Sequence, residues 1–207
     1  MLDVPQDRRV DALLAVAGAV AGAHELDEVL EIAAEEARAI LGVSVLSIGR
    51  WEAGAIVRTL INVGDLRGKD RWPEDETYDA TDFPTALTRL SEGRPHIAHV
   101  NDPTCDPAER ALMEEMDMAS SAAVPIVYGS ELWGELWAAN SPERLPLRPV
   151  DVRFMEAICS QVALAIGRAE LYTQLVVAAY RDPLTGLANR RAFDEALAAR
   201  SPPARSR

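Results

Sequence analysis

The stretch that decides the fold runs from Ser121 to Ala139 and reads SAAVPIVYGSELWGELWAA. It contains two apolar runs, residues 121–127 and 132–139, in which valine, isoleucine and tryptophan support a strand. The four residues between the runs, Tyr128-Gly129-Ser130-Glu131, include glycine and serine, which favour turns. Two apolar runs joined by a short turn predict a β-hairpin of adjacent antiparallel strands.

On both sides of this hairpin, segments with apolar residues at helical spacing alternate with short apolar runs. The predicted helices are residues 9–23, 26–41, 83–92, 107–116 and 150–180. The other predicted strands are residues 43–51, 55–63 and 96–100. Residues 62–79 hold glycine, proline and many charges without an apolar period, so we expect a long loop there. This order predicts an α+β fold with a central, mainly antiparallel sheet flanked by helices.

The charge balance of the chain is acidic, since 33 Asp and Glu face 21 Lys and Arg and give a net charge of −12. Nucleic-acid phosphates and anionic membrane surfaces both require an excess of basic residues, so neither is an expected partner. No apolar run reaches the ~18 residues that span a bilayer, and the N-terminus lacks a signal-peptide layout. We therefore expect a cytoplasmic protein. Two cysteines alone supply neither a disulfide framework nor a zinc site, and no metal is predicted.

The helix predicted over residues 150–180 carries apolar residues in alternating steps of four and three, which is typical of a seam between two helices. The predicted dimer seam consists of Val162, Ala165, Ala169, Tyr172 and Val176. We expect it to pair with a second copy of the chain, together with an N-terminal dimerisation helix in residues 1–24. The alternative is a long helix whose apolar stripe packs into its own domain.

The hairpin and its surroundings resemble the GAF domain, a small-molecule sensor and dimerisation module of signalling proteins. The family's last hairpin pairs a "VP" strand with an "LWG-x-L" strand, as in Val124-Pro125 and Leu132-Trp133-Gly134-Glu135-Leu136. The resemblance implies a GAF-like antiparallel sheet with a long C-terminal signalling helix. It divides the chain into a GAF sensor domain over residues 25–168 and a helical linker over residues 169–180.

A second, shorter resemblance begins at Arg181. The run RDPLTGLANRRAF, residues 181–193, is similar to the opening of the GGDEF domain of diguanylate cyclases, which make cyclic di-GMP. We expect residues 181–207 to be an N-terminal fragment of that domain, in a GAF–GGDEF protein shortened just after its second domain starts. Asn189 matches a family position that contacts the guanine base. The chain lacks the GGDEF hairpin and the upstream aspartate that hold magnesium, so we expect no enzymatic activity from it.

The ligand pocket implied by the resemblance has an expected aromatic wall. The predicted ligand-binding residues are Trp51, Arg58, Trp72, Tyr78, Phe83, His96 and Trp137, with Arg58 as the partner of an anionic group. The loop at residues 62–79 is expected to cover the mouth of the pocket. The alternative is that the rings only fill the core or its rim.

The identity of the ligand stays open at this point. Some GAF domains bind haem through one histidine and some attach a bilin to a cysteine. No histidine follows Cys105 as the bilin pattern requires, so the sequence predicts neither haem nor bilin. Two functions remain: a regulatory sensor whose ligand controls a diguanylate cyclase, and a ligand-free structural dimerisation module of a signalling protein.

Overall fold

The structure, a computed structural model, describes residues 6–22, 25–66, 68–181, 185 and 187–193. Its helices are α1 (Gln6–Gly22), α2 (Leu26–Leu41), α3 (Pro84–Ser91), α4 (Pro107–Glu115) and α5 (Pro149–Tyr180), with a 3-10 turn at Ala80–Asp82. Its strands are β1 (Val45–Glu52), β2 (Ile56–Gly64), β3 (Thr77–Asp79), β4 (His96–His99), β5 (Ser120–Tyr128) and β6 (Glu131–Asn140). Within the described residues, no helix is long and apolar enough to cross a membrane.

The six strands form one antiparallel sheet in the order β3-β2-β1-β6-β5-β4. The predicted hairpin lies in its centre, with Ala123 opposite Trp137 and Val124 opposite Leu136. Strand β6 also pairs with β1, which brings the first hairpin of the chain beside the last one. The predicted α+β fold, a central antiparallel sheet with flanking helices, is confirmed.

The glycine of the LWG motif is required where β1 and β6 approach most closely. A Cβ atom added at Gly134 would lie 2.2 Å from the carbonyl oxygen of Gly49. No side chain fits at that distance, so Gly134 permits the backbone contact that joins the two hairpins.

The two faces of the sheet have different partners because side chains alternate along each strand. On β6, Leu136 and Ala138 point into the main apolar core, to which α1, α2 and α5 contribute. Glu135 and Trp137 belong to the opposite face, where α3 and α4 lie. The candidate site is on this second face.

The predicted loop at residues 62–79 is shorter in the structure. Strand β2 continues to Gly64, and Thr77–Asp79 forms β3 at the sheet edge, where Tyr78 lies opposite Val57. The connection is therefore residues 65–76. A three-residue edge strand has no pattern of its own, so only its pairing partner reveals it.

The chain divides into two compact units, residues 1–166 and 167–207. In the first unit, Val162 and Ala165 are only 0% and 5% exposed and pack inside the domain. Their assignment to a dimer seam is therefore wrong, because the core of their own domain already buries them. The exposed apolar residue on this part of α5 is Leu164.

In the second unit, Ala169 is half-buried and Tyr172 is exposed, while the side chain of Val176 lies outside the described residues. Leu171 and Leu175 are also exposed, at 57% and 60%. These leucines are four residues apart on the helix, so they offer one apolar stripe. The homodimer itself stays a prediction.

Asn189 joins the end of α5 to the helical turn that follows. Its side-chain nitrogen donates to the carbonyl oxygen of Ala179 at 2.9 Å, and its side-chain oxygen accepts from the backbone N–H of Ala192 at 3.0 Å. The amide thus satisfies a carbonyl at one helix end and an N–H at the next helix start. Contact with a guanine base stays a prediction for Asn189.

Candidate functional site

A cavity of about 250 Å³ lies on the second face of the sheet. Strands β1 and β6 form its floor, α3 and α4 its far wall, and the connection at residues 65–76 one side. The apolar part of the lining includes Val45, Val57, Ala80, Ala86, Leu87, Leu90, Leu112, Met116, Met118 and Ala123. Such a mostly apolar lining with a few polar groups is the usual form of a small-molecule site.

Four of the predicted ligand-binding residues line this cavity, namely Trp51, Tyr78, Phe83 and Trp137. Trp51 and Trp137 share the floor because both occupy alternate positions that face α3 and α4. Tyr78 enters from β3, and Phe83 immediately precedes α3. The structure thus brings these rings together from four separate elements; that they bind a ligand stays a prediction.

Arg58 and Trp72 do not line the cavity, which corrects their placement in the wall. On β2 the neighbours Val57 and Thr59 face the cavity, so Arg58 points the other way and forms an ion pair with Glu52 at 2.6 Å. Trp72 lies in the connection and is 40% exposed. The alternation of side chains along β2 excludes Arg58 from the cavity lining. Trp72 is excluded from the lining only by the path that the connection takes.

His96 is buried behind the cavity rather than in its lining. Its Nε2 atom lies 2.9 Å from Oε2 of Glu109, which does line the cavity. The hydroxyl of Ser121 donates to Oε1 of Glu109 at 3.2 Å. His96 and Ser121 therefore hold the Glu109 carboxylate at the cavity wall. His96 itself does not reach the cavity and can affect a ligand only through the position of Glu109.

Glu135 is the most unusual polar group of the cavity floor. The indole N–H of Trp51 donates to its Oε2 atom at 3.0 Å. Burial raises the pKa of Glu135 to about 7, and the negative charge of Glu109 acts in the same direction. The hydrogen bond from Trp51 and the charge of His96 lower this pKa and oppose the shift. Sequence reasoning missed Glu135, although its place two residues before Trp137 puts both on the same strand face.

The connection supplies the cation of the lining, Lys69. Its Nζ atom lies 2.8 Å from Oε1 of Glu76 and 2.5 Å from the hydroxyl of Tyr78, and that hydroxyl donates to Glu76 as well. Burial lowers the pKa of Lys69, but the hydrogen bonds to Glu76 and Tyr78 outweigh it and raise the pKa overall. Asn62 also donates to Glu76, at 3.0 Å.

Arg71 fastens the same connection to α2. Its two terminal nitrogens lie 2.7 Å from carboxylate oxygens of Glu31 and Glu35. Its carbonyl oxygen accepts from the backbone N–H of Asn62 at 2.8 Å. Since Asp65, Leu66 and Lys69 line the cavity, Arg71 holds one side of the cavity in place.

Cys105, the cysteine considered for bilin attachment, is half-buried and packs beside the small cluster that contains Ala98 and Met113. Burial raises the pKa of its thiol. The residue is not part of the cavity lining. Across the part of the chain that the structure describes, no group of three or more His, Cys, Asp or Glu side chains could hold a metal ion.

Among solved structures, the phycocyanobilin-bound GAF domain from a cyanobacterial phytochrome has a similar fold, with a TM-score of 0.68 and 22% sequence identity. The match covers 79% of this chain and 96% of that domain. The prediction that a bilin is not a cofactor is corrected by this finding, because a GAF domain of the same architecture holds one. That prediction depended on the residue after Cys105, and a local motif does not report the lining of a cavity.

Two curated proteins are related in sequence. The circadian input-output histidine kinase CikA of Thermosynechococcus vestitus is 25% identical over 169 residues, which are 73% of this chain and 22% of that protein. An uncharacterised protein in the hutH 5' region of Streptomyces griseus is 38% identical over 72 residues, 35% of this chain and 30% of that protein. The chain thus spans less than a third of the length of either relative.

The sequence pattern of the family described as "GAF domain" matches residues 25–166. The match includes all six strands and the cavity, and it ends before the GGDEF-like run at residues 181–193, which stays a resemblance. The fold, the hairpin with its close-contact glycine and the cavity agree with that match, and the chain belongs to the GAF domain family of sensory domains.

Proposed function

We propose that this GAF domain is a ligand-binding sensor whose cavity takes a planar, conjugated small molecule. The observation that carries the proposal is the convergence of four aromatic side chains and a few fixed polar groups on one cavity. A bilin is the first ligand to test, because a GAF domain of similar fold is bound to phycocyanobilin.

The lining suits such a molecule. The rings of Trp51, Trp137 and Phe83 offer flat apolar faces for stacking. Lys69, which is paired with Glu76, offers a hydrogen-bond donor to the ligand, and Glu135 accepts a hydrogen bond from an N–H group. A bound bilin would supply absorption of visible light, whereas the chain supplies orientation, an apolar surround and these two polar contacts.

The output of the sensor is proposed to be a diguanylate cyclase, because residues 181–193 resemble the start of that domain. Helix α5 leads directly into this run, and Asn189 fastens the two ends together through Ala179 and Ala192. In this proposal, occupancy of the cavity changes how the helix is held and thereby the activity of the cyclase that follows. This chain alone is proposed to be non-catalytic.

We also propose a homodimer through α1 and α5, with corrected contact residues. Val10 and Leu14 on α1, and Leu171 and Leu175 on α5, are exposed apolar side chains. Pairing would remove that apolar surface from water, at about 25 cal/mol for each Å² buried. These exposed residues also favour the alternative, a dimerisation module that needs no ligand.

Titration of the purified chain with phycocyanobilin, followed by absorbance and native mass spectrometry, separates the two functions. The matched variants are Ala86→Phe, which fills the cavity from α3, and Ala111→Phe, which makes the same change on the exposed surface of α4. We expect one bound bilin in the unmodified chain and in Ala111→Phe, and a loss of at least about tenfold in affinity in Ala86→Phe. No binding, or equal binding by both variants, contradicts the proposed bilin sensor.

A further inference from the structure

The lining of the cavity has an excess of negative charge. Its carboxylates are Asp65, Glu109, Glu115 and Glu135, and among the described lining residues its cation is Lys69. Lys69 is already paired, since its Nζ atom lies 2.8 Å from Glu76. Four carboxylates and one lysine therefore give the lining a net negative formal charge, in a partly desolvated space where charge–charge interactions are strong.

Glu135 is the carboxylate best placed to use that charge. Its Oε2 atom accepts the Trp51 indole N–H at 3.0 Å. Within the described part of the chain, this is the hydrogen bond that its carboxylate receives, so the Oε1 atom has no protein donor while the side chain lines the cavity. Glu135 is half-buried, and a ligand that supplies a donor to Oε1 adds the hydrogen bond that the protein does not make.

The indole rings of Trp51 and Trp137 lie beside the same carboxylate. Trp137 is two residues further along β6 on the same face of the sheet, and Trp51 contacts Glu135 directly. The faces of indole rings attract cations, and more strongly when water is excluded. A carboxylate beside two indole rings in one cavity thus matches a positively charged nitrogen that is attached to a flat apolar body.

We propose that the Glu135 end of the cavity recognises a positively charged nitrogen group with N–H donors, such as an amidinium or a protonated nitrogen heterocycle, carried by an aromatic ligand. The inference rests on the proposed function, in that the cavity is a ligand site. It adds the chemical class of the group bound at this end, and it makes Glu135 the residue that determines specificity.

Such binding is coupled to protons. With a pKa of about 7, Glu135 is partly protonated at neutral pH, and a cation favours its ionised form. The affinity for a cation that keeps its charge should therefore rise as pH increases from 6 to 8. The titratable and charged groups that line the cavity with Glu135 are Asp65, Lys69, Tyr78, Glu109 and Glu115, and His96 lies behind Glu109.

The test compares three probes of the same shape and different charge, namely benzamidinium, benzamide and benzoate. Binding to the full chain is measured at pH 8 by ligand-observed NMR, with tryptophan fluorescence as a second signal. We expect benzamidinium to bind at least about tenfold more tightly than benzamide, and benzoate to bind most weakly. Glu135→Gln should reduce the preference for benzamidinium over benzamide to less than about twofold. The control Glu131→Gln, an exposed position on the same strand, should retain it.

Three results overturn the inference: no binding of any probe at about 10 mM, equal binding of benzoate and benzamidinium, or a charge preference that persists in Glu135→Gln. The phycocyanobilin titration of the same preparations separates this inference from the proposed function. Bilin binding without a cation preference leaves the sensor standing and removes the Glu135 assignment. A cation preference without bilin binding leaves the Glu135 assignment standing and removes the bilin sensor.

Discussion

Replacing Glu135 by glutamine should remove a pH-dependent cost in folding stability. The glutamine has nearly the same shape, and its amide oxygen still accepts the Trp51 indole N–H. The pKa of Glu135 rises on folding from its ordinary value of 4.5 to about 7. The folded state therefore binds this proton more tightly than the unfolded state, so stability falls as pH rises from about 4.5 to 7 and above.

The size of the effect follows from that pKa change. From 4.5 to about 7, at about 1.4 kcal/mol per pH unit, the cost at pH 8 is roughly 3 kcal/mol. This figure is an upper limit, because Glu135 faces a cavity that water can enter. We expect Glu135→Gln to be roughly 1–3 kcal/mol more stable than the unmodified chain at pH 8. At pH 4.5 and below, where Glu135 is protonated in the folded state, the difference should be within roughly 0.5 kcal/mol.

Urea unfolding at intervals between pH 4.5 and 8 measures this difference directly. The control Glu131→Gln removes an exposed carboxylate from the same strand and should follow the unmodified chain at every pH. Groups that do not interact with Glu135 affect all three proteins alike, so the difference between the curves reports the titration of Glu135 together with its coupling to Glu109 and His96. Parallel curves for Glu135→Gln and the unmodified chain would refute the reasoning, because they would mean that Glu135 folds without a raised pKa.

Four further predictions follow from other parts of the structure. Gly134→Ala should lower the free energy of unfolding by roughly 3 kcal/mol or prevent folding, because its Cβ would lie 2.2 Å from a β1 carbonyl oxygen. The control Gly18→Ala, in an open helical position, should raise the free energy of unfolding by up to roughly 1 kcal/mol in thermal or urea unfolding. Arg71→Ala should speed amide hydrogen exchange in residues 65–76 and leave exchange in the central strands unchanged, since it removes both contacts with α2. Leu171→Glu should shift a dimer towards monomer in sedimentation at tens of micromolar, while a monomeric unmodified chain would exclude the proposed pairing. Incubation with GTP and magnesium should yield no cyclic di-GMP above a blank, and any product would contradict the non-catalytic assignment.

Some of the residues that line the cavity could be predicted from the sequence and others could not. The sequence named Trp51 and Trp137 as wall residues of the pocket that the family resemblance implies, and alternation along β1 and β6 explains why both face the cavity. The same alternation could also have excluded Arg58 and included Glu135. The lysine and glutamate of the Lys69–Glu76 pair lie in the connection, which has no period, so their contact with Tyr78 could not be predicted.

For α5, the sequence predicted the apolar stripe correctly but not the surface against which the stripe packs. A stripe of apolar residues states that a surface is buried, but not whether its own domain or a second copy buries it. Val162 and Ala165 satisfy the seam spacing and nevertheless pack in the domain core. Likewise Asp106 precedes α4 at the N-cap position, but its carboxylate accepts from the backbone N–H and the hydroxyl of Thr85 in α3, both at 2.8 Å, and not from α4.

The sequence by itself determined the order of the helices and of every strand except β3, the central hairpin and the family, because periodicity and turn residues act over a few neighbouring positions. The tertiary structure alone decided which groups meet in the cavity and with what charge. Glu135 is an ordinary carboxylate in the sequence, and its pKa of about 7 arises only when folding removes it from water beside Glu109. Burial and long-range proximity depend on how distant segments pack, and that information is not local to any stretch of the chain.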